Sequence, residues 1–277
     1  MNADRDVSYV LGHTPQELAR LERQAAIFEE PTRALLQRCG IRAGQRVLDL
    51  GCGAGDVTLL ASDFVGLAGE VIGVDRASEA VTTARGRAAS TGRRNVTFVH
   101  AAIDHLVVEP VDAVIGRFVL MHQTAPVEVL RRATRLVRPG GIVAMMESHL
   151  DALVLEWHSS PPSAAYTNLL DVMLRTIRAA GGRTDMGLRL RGTFLEAGLP
   201  DPAIDVHGTL AGRDAARLCR YMADSLRSMA AMAERLGVEA LPAARIDEME
   251  RGMLEDAERP GAVMNGPLVV SAWCTLP

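Results

Sequence analysis

The segment VLDLGCGAGDVT, residues 47–58, places one carboxylate and three glycines close together. Asp49 lies in an apolar, strand-like run, and Gly51, Gly53 and Gly55 follow it, just before a helix-like stretch. Glycine adopts positive φ in tight turns, and without a Cβ it lets a ligand approach the main chain. N–H groups at the start of a helix then point at the ligand. The pattern predicts a binding turn between a strand and a helix.

Three ligands suit such a turn, and the neighbouring residues favour one of them. A dinucleotide pyrophosphate prefers G-x-G-x-x-G, but Asp56 takes the third glycine position and its carboxylate would repel phosphate. The P-loop pattern G-x-x-x-x-G-K-[ST] is absent. S-adenosylmethionine carries an ammonium that Asp49 can bind and a carboxylate that backbone N–H groups can bind. We therefore predict S-adenosylmethionine as the cofactor.

A second carboxylate supports this prediction. Asp75 ends the next strand-like run, VIGVD, about 20 residues beyond the glycine turn. An acid in that place accepts hydrogen bonds from both ribose hydroxyls of an adenosine. The alternative for Asp75 is a simple cap on the following helix.

Candidate proton acceptors follow two later strands. Methyl transfer to a neutral O–H or N–H releases a proton, and a nearby histidine or carboxylate that accepts it adds roughly 10²–10⁴ in rate. The stretch GRFVLMHQT supplies Arg117 and His122, and MESHLD supplies Glu147 and His149. We predict His122, His149 and Glu147 as catalytic residues. The alternatives are a capping role for His122 and an arginine partner for Glu147, and Arg117 is expected to be structural or to face the cofactor.

Other candidates have weaker arguments. His13 and Tyr9 lie in a segment that can fold over the cofactor, and His158, after Trp157, can line a pocket. The remaining histidines are predicted at the surface or at edges: His100, His105 and His207. No His, Asp or Glu pair has the spacing of a metal site, so no metal is expected.

The elements that position these residues alternate between apolar β-branched runs and amphipathic helices, which predicts a parallel sheet covered on both faces. An N-terminal helical region spans 15–39, with Pro31 predicted to start a second helix. The first expected strand and the helix that follows it lie within 46–66. The other expected strands lie at 70–75, 95–101, 111–118 and 141–148. Further helices are expected at 78–90 and from Pro126 to Gly140–Gly141.

The pattern changes after residue 150. Helices are predicted over 163–180 and 213–258, and strands over 203–211 and 267–276. We expect the helices to cap the carboxyl edge of the sheet, where open α/β folds bind ligands. The domain prediction is therefore N-terminal helices covering the active site (1–45), a cofactor-binding core (46–150), and a substrate cap with the last two strands (151–277, cap at about 151–200 and 212–260). A methionine stripe there, Met222, Met229 and Met232, fits either the core or a pocket wall.

Composition excludes several function classes. Every one of the 30 basic residues is arginine, so Schiff-base, Walker and kinase lysines are absent. Aromatic residues are 4% of the 277-residue chain and the net charge is −4, which disfavours nucleic acid as a partner. Four distant cysteines, no signal peptide and no long apolar run indicate a cytoplasmic protein without a membrane partner. A homodimer or higher homo-oligomer is left open.

The motifs VLDLGCGAGDVT, GEVIGVDRA and ATRLVRPGGIVAMME together resemble class I S-adenosylmethionine-dependent methyltransferases, in the small-molecule branch that includes ubiquinone/menaquinone-biosynthesis and natural-product tailoring enzymes. The resemblance covers roughly residues 10–150 and the last two strands. It implies a Rossmann-like α/β fold whose seven-stranded sheet has the order 3-2-1-4-5-7-6, with strand 7 antiparallel, and helical cap insertions. It also assigns Asp49 and the three glycines to the methionine end, Asp75 to the ribose, and Arg76 to the side of the adenine.

One departure from the family pattern concerns the adenine. Where the family often has Gly-Asp-Ala after strand 3, this chain has HAAIDHL, which places Ala102 at the acidic position. Either Asp104 substitutes for that acid, or the backbone of Ile103 contacts the adenine.

The acceptor is predicted by elimination. The [DN]-P-P-[YFW] motif of nucleic-acid methyltransferases is replaced by GRFV, and the Leu/Met-rich cap favours a small, fairly apolar organic molecule, as in secondary metabolism. We expect methyl transfer to O or N rather than C. The alternatives are a methyltransferase-fold enzyme that catalyses a cyclisation or rearrangement, and a non-catalytic nucleotide-binding module.

Overall fold

The structure is a computed structural model that describes residues 15–154 and 159–277. The predictions for Tyr9, His13 and His158 concern residues outside these ranges. The described helices are α1 (Pro15–Arg38), α2 (Asp56–Val65), α3 (Ser78–Ser90), α4 (Pro126–Thr134), α5 (Ala164–Ala179), α6 (Met186–Glu196), α7 (Ala215–Arg235) and α8 (Ala243–Ala257).

The described strands form two sheets. They are β1 (Arg46–Leu50), β2 (Glu70–Asp75), β3 (Val96–His100), β4 (Val111–Arg117), β5 (Val137–His149), β6 (Ser159–Ser160), β7 (Ala203–His207), β8 (Leu210–Ala211), β9 (Val263–Asn265) and β10 (Leu268–Thr275). Seven of them form one sheet in the order β3-β2-β1-β4-β5-β10-β7, in which β10 runs antiparallel to both of its neighbours. This confirms the expected fold and strand order.

The two faces of strand β5 contact different helices. Thr32 of α1 lies 4.0 Å from the sulfur of Met146 on one face. On the other face, a Cβ added to Gly187 of α6 would lie 3.1 Å from the Cβ of His149. Because side chains alternate along a strand, residues 146 and 148 share the α1 face, and 147 and 149 share the α6 face. This alternation decides which side chains reach the site.

Two sequence expectations for helices were wrong. Pro31 does not start a second helix, because it lies inside the continuous helix α1, which packs against α2, α7 and β5. The hydroxyl of Thr32 donates to the carbonyl of Phe28 in the turn around this proline. Helix α4 ends at Thr134, well before Gly140, since the chain already enters β5 at Val137, which pairs with β4.

The cap contains a second sheet that the sequence did not predict. The segment 203–211 is not one strand: β7 belongs to the large sheet, whereas β8 pairs with β9 in a three-stranded sheet with the order β6-β9-β8. The helices α5, α7 and α8 pack against one another above it, and α1 contacts α7. Helix α6, which was not predicted, instead packs against β5, β10 and α4.

Two further properties apply to residues 15–154 and 159–277. Within these ranges, no helix has the length and apolar character needed to cross a bilayer. No group of three His, Cys, Asp or Glu side chains there is arranged to hold a metal ion.

Gly73 in β2 offers a test of the packing below the glycine turn. A Cβ added at this position would lie 2.7 Å from both the Phe98 ring and the Thr58 hydroxyl. We expect Gly73→Ala to lower the free energy of unfolding by about 1–3 kcal/mol, since these buried groups must shift. Urea unfolding monitored by circular dichroism measures this change.

Gly86 in α3 is the matched control, because nothing lies within 4 Å of an added Cβ there. Gly86→Ala should stabilise the protein by roughly 0.5–1 kcal/mol, as expected for a helix interior. Equal effects of the two substitutions would contradict the described packing.

Candidate functional site

The glycine turn follows β1 and leads into α2, and all three glycines have positive φ, which was predicted for Gly51. A Cβ added to Gly51 would lie 2.8 Å from the side chain of Val119, and one added to Gly55 would lie 3.0 Å from the Phe98 ring. Internal packing thus requires glycine at these two positions. Gly53 differs, because nothing lies within 4 Å of its missing Cβ. Its bare main chain faces open space.

Asp75 ends β2 directly beside this turn. Its Oδ2 accepts a hydrogen bond from the N–H of Gly53 at 2.9 Å, and its Oδ1 accepts one from the N–H of Ala77 at 2.9 Å. Ala77 is the N-cap residue of α3, so Asp75 bonds the backbone just before the helix, and no side chain caps the helix itself. A carboxylate oxygen can accept more than one hydrogen bond, so the partly exposed Asp75 keeps capacity for further donors.

Asp49 forms a buried part of the same region. Its side chain is 1% exposed, and its Oδ2 accepts a hydrogen bond from the Thr58 hydroxyl at 2.6 Å. Burial raises the pKa of Asp49 to about 7, while the Thr58 bond and the Arg117 charge act in the opposite direction. A cation placed nearby would favour the ionised carboxylate.

Arg117 ends β4 and connects it to α1. Its Nη1 donates to the Thr32 hydroxyl at 3.1 Å. Burial lowers the pKa of the Arg117 guanidinium, and the carboxylates of Asp56 and Asp49 oppose that shift. The structure therefore places Arg117 near Asp49, with a structural contact to α1.

The predicted adenine contacts follow β3. The N–H of Ala101 donates to the carbonyl of Asp75 at 3.0 Å, which places Ala102 and Ile103 next to the Asp75 end of β2. Ala102 is exposed and Ile103 begins a short 3-10 turn, Ile103–His105. The backbone at these two residues is thus accessible beside Asp75.

The neighbouring polar side chains differ in their placement. Asp104 forms an ion pair with Arg132 of α4, so its carboxylate is directed to a structural partner. Arg76 is exposed, and its carbonyl oxygen lies 3.0 Å from Nε2 of His100. Of the two alternatives for the adenine, the backbone of Ile103 therefore fits the structure better than the side chain of Asp104.

Glu147 does not occupy the place expected of a catalytic residue. Its side chain is 0% exposed, and its carboxylate accepts hydrogen bonds from the backbone N–H groups of Val119 (2.9 Å), Leu120 (2.7 Å) and Met121 (3.1 Å). Burial raises its pKa to about 7, against the effect of these three bonds. The expected arginine partner is replaced by backbone, and Glu147 acts as a positioning residue for the turn after β4.

That turn has an unusual backbone. Phe118 adopts φ +57°, the one positive φ of a non-glycine residue among those described. Its N–H donates to the carbonyl of Met146, and its ring packs edge-on against Phe28 of α1 at a centroid distance of 5.0 Å. Tertiary contacts therefore hold the chain in a conformation that costs of order 1–3 kcal/mol.

A cavity lies between this turn and the cap helices. It has a volume of about 60 Å³. Its polar lining is Arg20, Gln24, His122, Ser148, Tyr221 and Ser225, and its apolar lining is Phe118, Met121, Leu150, Met173, Ile177, Met222, Met229 and Pro267. Small-molecule sites usually measure about 300–1,000 Å³, so an organic ligand requires the flexible methionines to move.

A larger groove of about 520 Å³ lies elsewhere, between α5 and α8. It is lined mainly by polar and charged side chains, including Asn168, Arg245, Glu248, Arg251 and Glu255. None of the predicted site residues lines it. We therefore place the candidate site at the smaller cavity, beside the glycine turn.

The two histidine predictions have different outcomes in this geometry. His122 lines the cavity, at the end of the turn that Glu147 holds. Burial lowers the pKa of His122 to about 4, and the charges of Arg20 and Arg76 act in the same direction. The imidazole is thus neutral at physiological pH, and it is a weak proton acceptor.

His149 does not line the cavity, contrary to its predicted role as a base. It lies on the face of β5 covered by α6, because it is one position out of phase with Ser148, which does line the cavity. Its Nδ1 is buried without a hydrogen-bond partner among the described residues. His149 thus lies at the predicted strand end but outside the lining of the candidate cavity, to which its neighbour Ser148 contributes.

Five polar lining residues were missed by the sequence analysis: Arg20, Gln24, Ser148, Tyr221 and Ser225. Arg20 and Gln24 are four residues apart in α1 and thus share a helix face, which is the signal that could have been noticed. The methionines at 222, 229 and 232 were predicted to lie either in the core or in a pocket wall. Met222 and Met229 line the cavity, whereas Met232 is buried outside its lining.

Comparison with known proteins gives a family match. Residues 41–182, more than half of the chain, match a family model described as a methyltransferase domain. A demethylmenaquinone methyltransferase from Shouchella clausii is 31% identical over 115 residues, which is 41% of this chain and 49% of the relative. The chain spans about half the length of several curated relatives it matches.

Solved structures agree on the fold. A putative methyltransferase from Bacillus halodurans has a TM-score of 0.59 at 14% identity, covering 90% of this chain and 99% of the other. The [4+2]-cyclase SpnF has a TM-score of 0.53 at 18% identity, covering 90% of this chain and 81% of the other. At these identities the likeness concerns the fold alone.

The raised pKa of Glu147 predicts a pH dependence of stability. Because the folded state holds the proton more tightly than the unfolded state, Glu147 stabilises the fold below its ordinary pKa of 4.5, and this contribution is lost as pH rises through about 7. The slope has an upper limit of about 1.4 kcal/mol per pH unit for one group. Glu147→Gln removes this titration.

Urea unfolding at several pH values measures the effect. The free energy of unfolding of the wild type, minus that of Glu147→Gln, should fall as pH rises between 4.5 and about 7. A difference that stays constant over this interval, or increases, would contradict the assignment.

Proposed function

The chain belongs to the family of S-adenosylmethionine-dependent methyltransferase domains, and we propose that it transfers a methyl group from S-adenosylmethionine to an oxygen or nitrogen of a small, largely apolar molecule. The observation that carries this proposal is the open main chain of Gly53, hydrogen-bonded to the carboxylate of Asp75. A ligand can contact this backbone, and the acid lies directly beside it. Both groups suit an amino acid joined to an adenosine.

The residues at the turn fit this cofactor. Asp49 and the turn from Gly51 to Gly55 would hold its methionine end, and Asp75 would hold the ribose. The exposed backbone at Ala102 and Ile103 would contact the adenine, with Arg76 beside it. The cofactor supplies an electrophilic methyl group on a sulfonium. The protein contributes binding, orientation and exclusion of water.

The acceptor is proposed to bind in the cavity lined by His122. The turn after β4 connects the two parts of the site, because Val119 contacts the position of the missing Gly51 Cβ while His122 lines the cavity. Methionines and other apolar side chains form most of the cavity wall, which favours an apolar acceptor. We place Glu147 below this turn, where it positions the backbone.

Label transfer tests the function. The full chain is incubated with methyl-labelled S-adenosylmethionine and a panel of polyketide, terpenoid and aromatic acceptors, and labelled products are identified by mass spectrometry. Transfer to an organic acceptor supports the proposal. Conversion of a panel compound without label would instead support the cyclisation or rearrangement alternative, and no cofactor binding in calorimetry would reject methyl transfer.

Gly53 provides a sharp test of cofactor placement. Gly53→Ala adds a side chain into open space at φ +52°, and Gly66→Ala does the same at φ +62° just after α2. Each substitution should cost stability on the order of 1–3 kcal/mol, because both residues have positive φ, and Gly66 should be the more costly position, since its ψ of −174° lies in a region almost restricted to glycine. S-adenosylmethionine affinity should fall roughly tenfold in Gly53→Ala, equivalent to about 1.4 kcal/mol, and stay unchanged in Gly66→Ala.

Isothermal calorimetry measures both affinities, and urea unfolding measures both stabilities. Gly53→Val should weaken binding further. Unchanged affinity in the two Gly53 variants would mean that the cofactor binds elsewhere.

The two histidines predict a contrast in turnover. His122→Ala should lower kcat/KM roughly tenfold, because its imidazole lines the acceptor cavity. His149→Ala should change kcat/KM by less than about twofold, because His149 lies on the α6 face of β5. The label-transfer assay gives both values, and equal losses in the two variants would place His149 in the site after all.

A further inference from the structure

We propose that the acceptor binds as a preformed oxygen anion, a carboxylate or a phenolate, and that Arg20 is the residue that recognises it. This inference rests on the proposed function and names the substrate class of the same cavity. It depends on three observations: the placement of Arg20, the charges around the cavity, and the lack of a strong proton acceptor in its described lining.

Arg20 brings a positive charge into the cavity wall. Its side chain is 1% exposed, yet it lines the cavity from α1. Its Nη1 donates to Oε1 of Gln24 at 2.6 Å, and the Tyr221 hydroxyl of α7 approaches the same oxygen at 3.5 Å. A guanidinium has five donors in a planar fork that matches a carboxylate. Its charge is worth far more at a buried position than at the surface.

The charged side chain in the described part of the cavity lining is positive. Among residues 15–154 and 159–277, those lining the cavity include Arg20 but no Asp or Glu. Burial is the largest cause of the lowered pKa of His122, and the charges of Arg20 and Arg76 lower this pKa further. Burial disfavours a charge of either sign, whereas the positive charges of Arg20 and Arg76 favour an anionic ligand. The cavity is thus electrostatically suited to an anion.

The described lining also lacks a strong base. His122 is the one imidazole of this lining, and its pKa of about 4 makes it a poor acceptor for the proton of an alcohol or amine. The carboxylate of Glu147 is held by three backbone N–H groups, and His149 lies on the other face of the sheet. An acceptor that has already lost its proton to solvent needs no base.

Methyl transfer to an oxygen anion is balanced in bonds and in charge. A lone pair of the acceptor oxygen forms the new O–CH₃ bond as the S–CH₃ bond breaks and its electron pair returns to sulfur. The negative charge of the oxygen and the positive charge of the sulfonium cancel, so no proton is taken up or released in the step. Two opposite charges attract strongly in a cavity that excludes water.

The remaining wall indicates the rest of the acceptor. Met173 and Ile177 of α5 and Met222 and Met229 of α7 form an apolar surface around the polar group of Arg20, Gln24 and Tyr221. An amphipathic acid fits both parts, with an aryl or alkyl body on the methionines and the anion at Arg20. The class is therefore an apolar carboxylic acid or an acidic phenol.

Binding of matched probes tests the recognition. The full chain loaded with S-adenosylhomocysteine is titrated with 1-naphthoic acid and with its neutral amide. The acid should bind roughly tenfold more tightly or better. Arg20→Gln should remove this preference, and Arg20→Lys, which keeps the charge but loses the fork, should reduce it. Arg23→Gln is the control, because Arg23 lies in α1, pairs with Asp224 and does not line the cavity.

The S-adenosylhomocysteine affinity of each variant reports whether the variant is folded. If Arg20→Gln loses this affinity, the probe preference of Arg20→Lys is used as the deciding measurement. Equal binding of the two probes, binding of neither, or a preference unchanged in the deciding variant overturns the proposal.

Turnover with phenols of graded acidity, and with benzoic acids, tests the ionised state and separates the two acceptor classes. The pH at which kcat/KM reaches half its maximum should follow the pKa of each acceptor. A common midpoint for all acceptors, or equal transfer to neutral alcohols, overturns this inference while the methyltransferase function stands. No transfer to any acceptor, despite cofactor binding, would reject the proposed function, and the binding experiment would still decide the role of Arg20.

Discussion

One buried carboxylate organises the site. Glu147 is 0% exposed and accepts three backbone hydrogen bonds from Val119, Leu120 and Met121, so it fixes the turn that leaves β4. That turn contacts the glycine turn through Val119 and lines the cavity through His122. A residue with no access to any ligand thus sets the distance between the proposed cofactor and acceptor sites. Removing a buried partner of this kind leaves several donors unsatisfied, which is costly.

The second organising contact is made by Asp75. Its two oxygens connect the glycine turn to the start of α3, so the glycine turn, the end of β2 and the start of α3 meet at one carboxylate. The buried acids serve different purposes: Glu147 supports the backbone, whereas Asp49 lies in β1 just before the glycine turn, with a pKa raised to about 7 by burial. The charge of Arg117 favours the ionised form of Asp49, and a bound cation would favour it further.

Strong local patterns in the sequence predicted the parallel sheet and the positive φ of Gly51, and the family resemblance implied the strand order. The sequence did not resolve which side chains at a strand end face the cavity. His149 and Ser148 are neighbours in the chain, and the phase of β5 is set by its pairing with β4 and β10. The strands β6 and β8 have two residues each, too short for any periodicity to show. Packing of α1 against three elements likewise outweighed the ordinary effect of Pro31.

The small sheet has a consequence for how this protein can change over time. Leu210 pairs with Asn265 and Ala211 with Met264, so the insertion that carries α7 and α8 is closed on itself where it leaves and rejoins the large sheet. Such a cassette can accept substitutions, insertions or exchange with little disturbance of β7 and β10. The part that lines the proposed acceptor cavity and the part built around the glycine turn can therefore diverge at different rates.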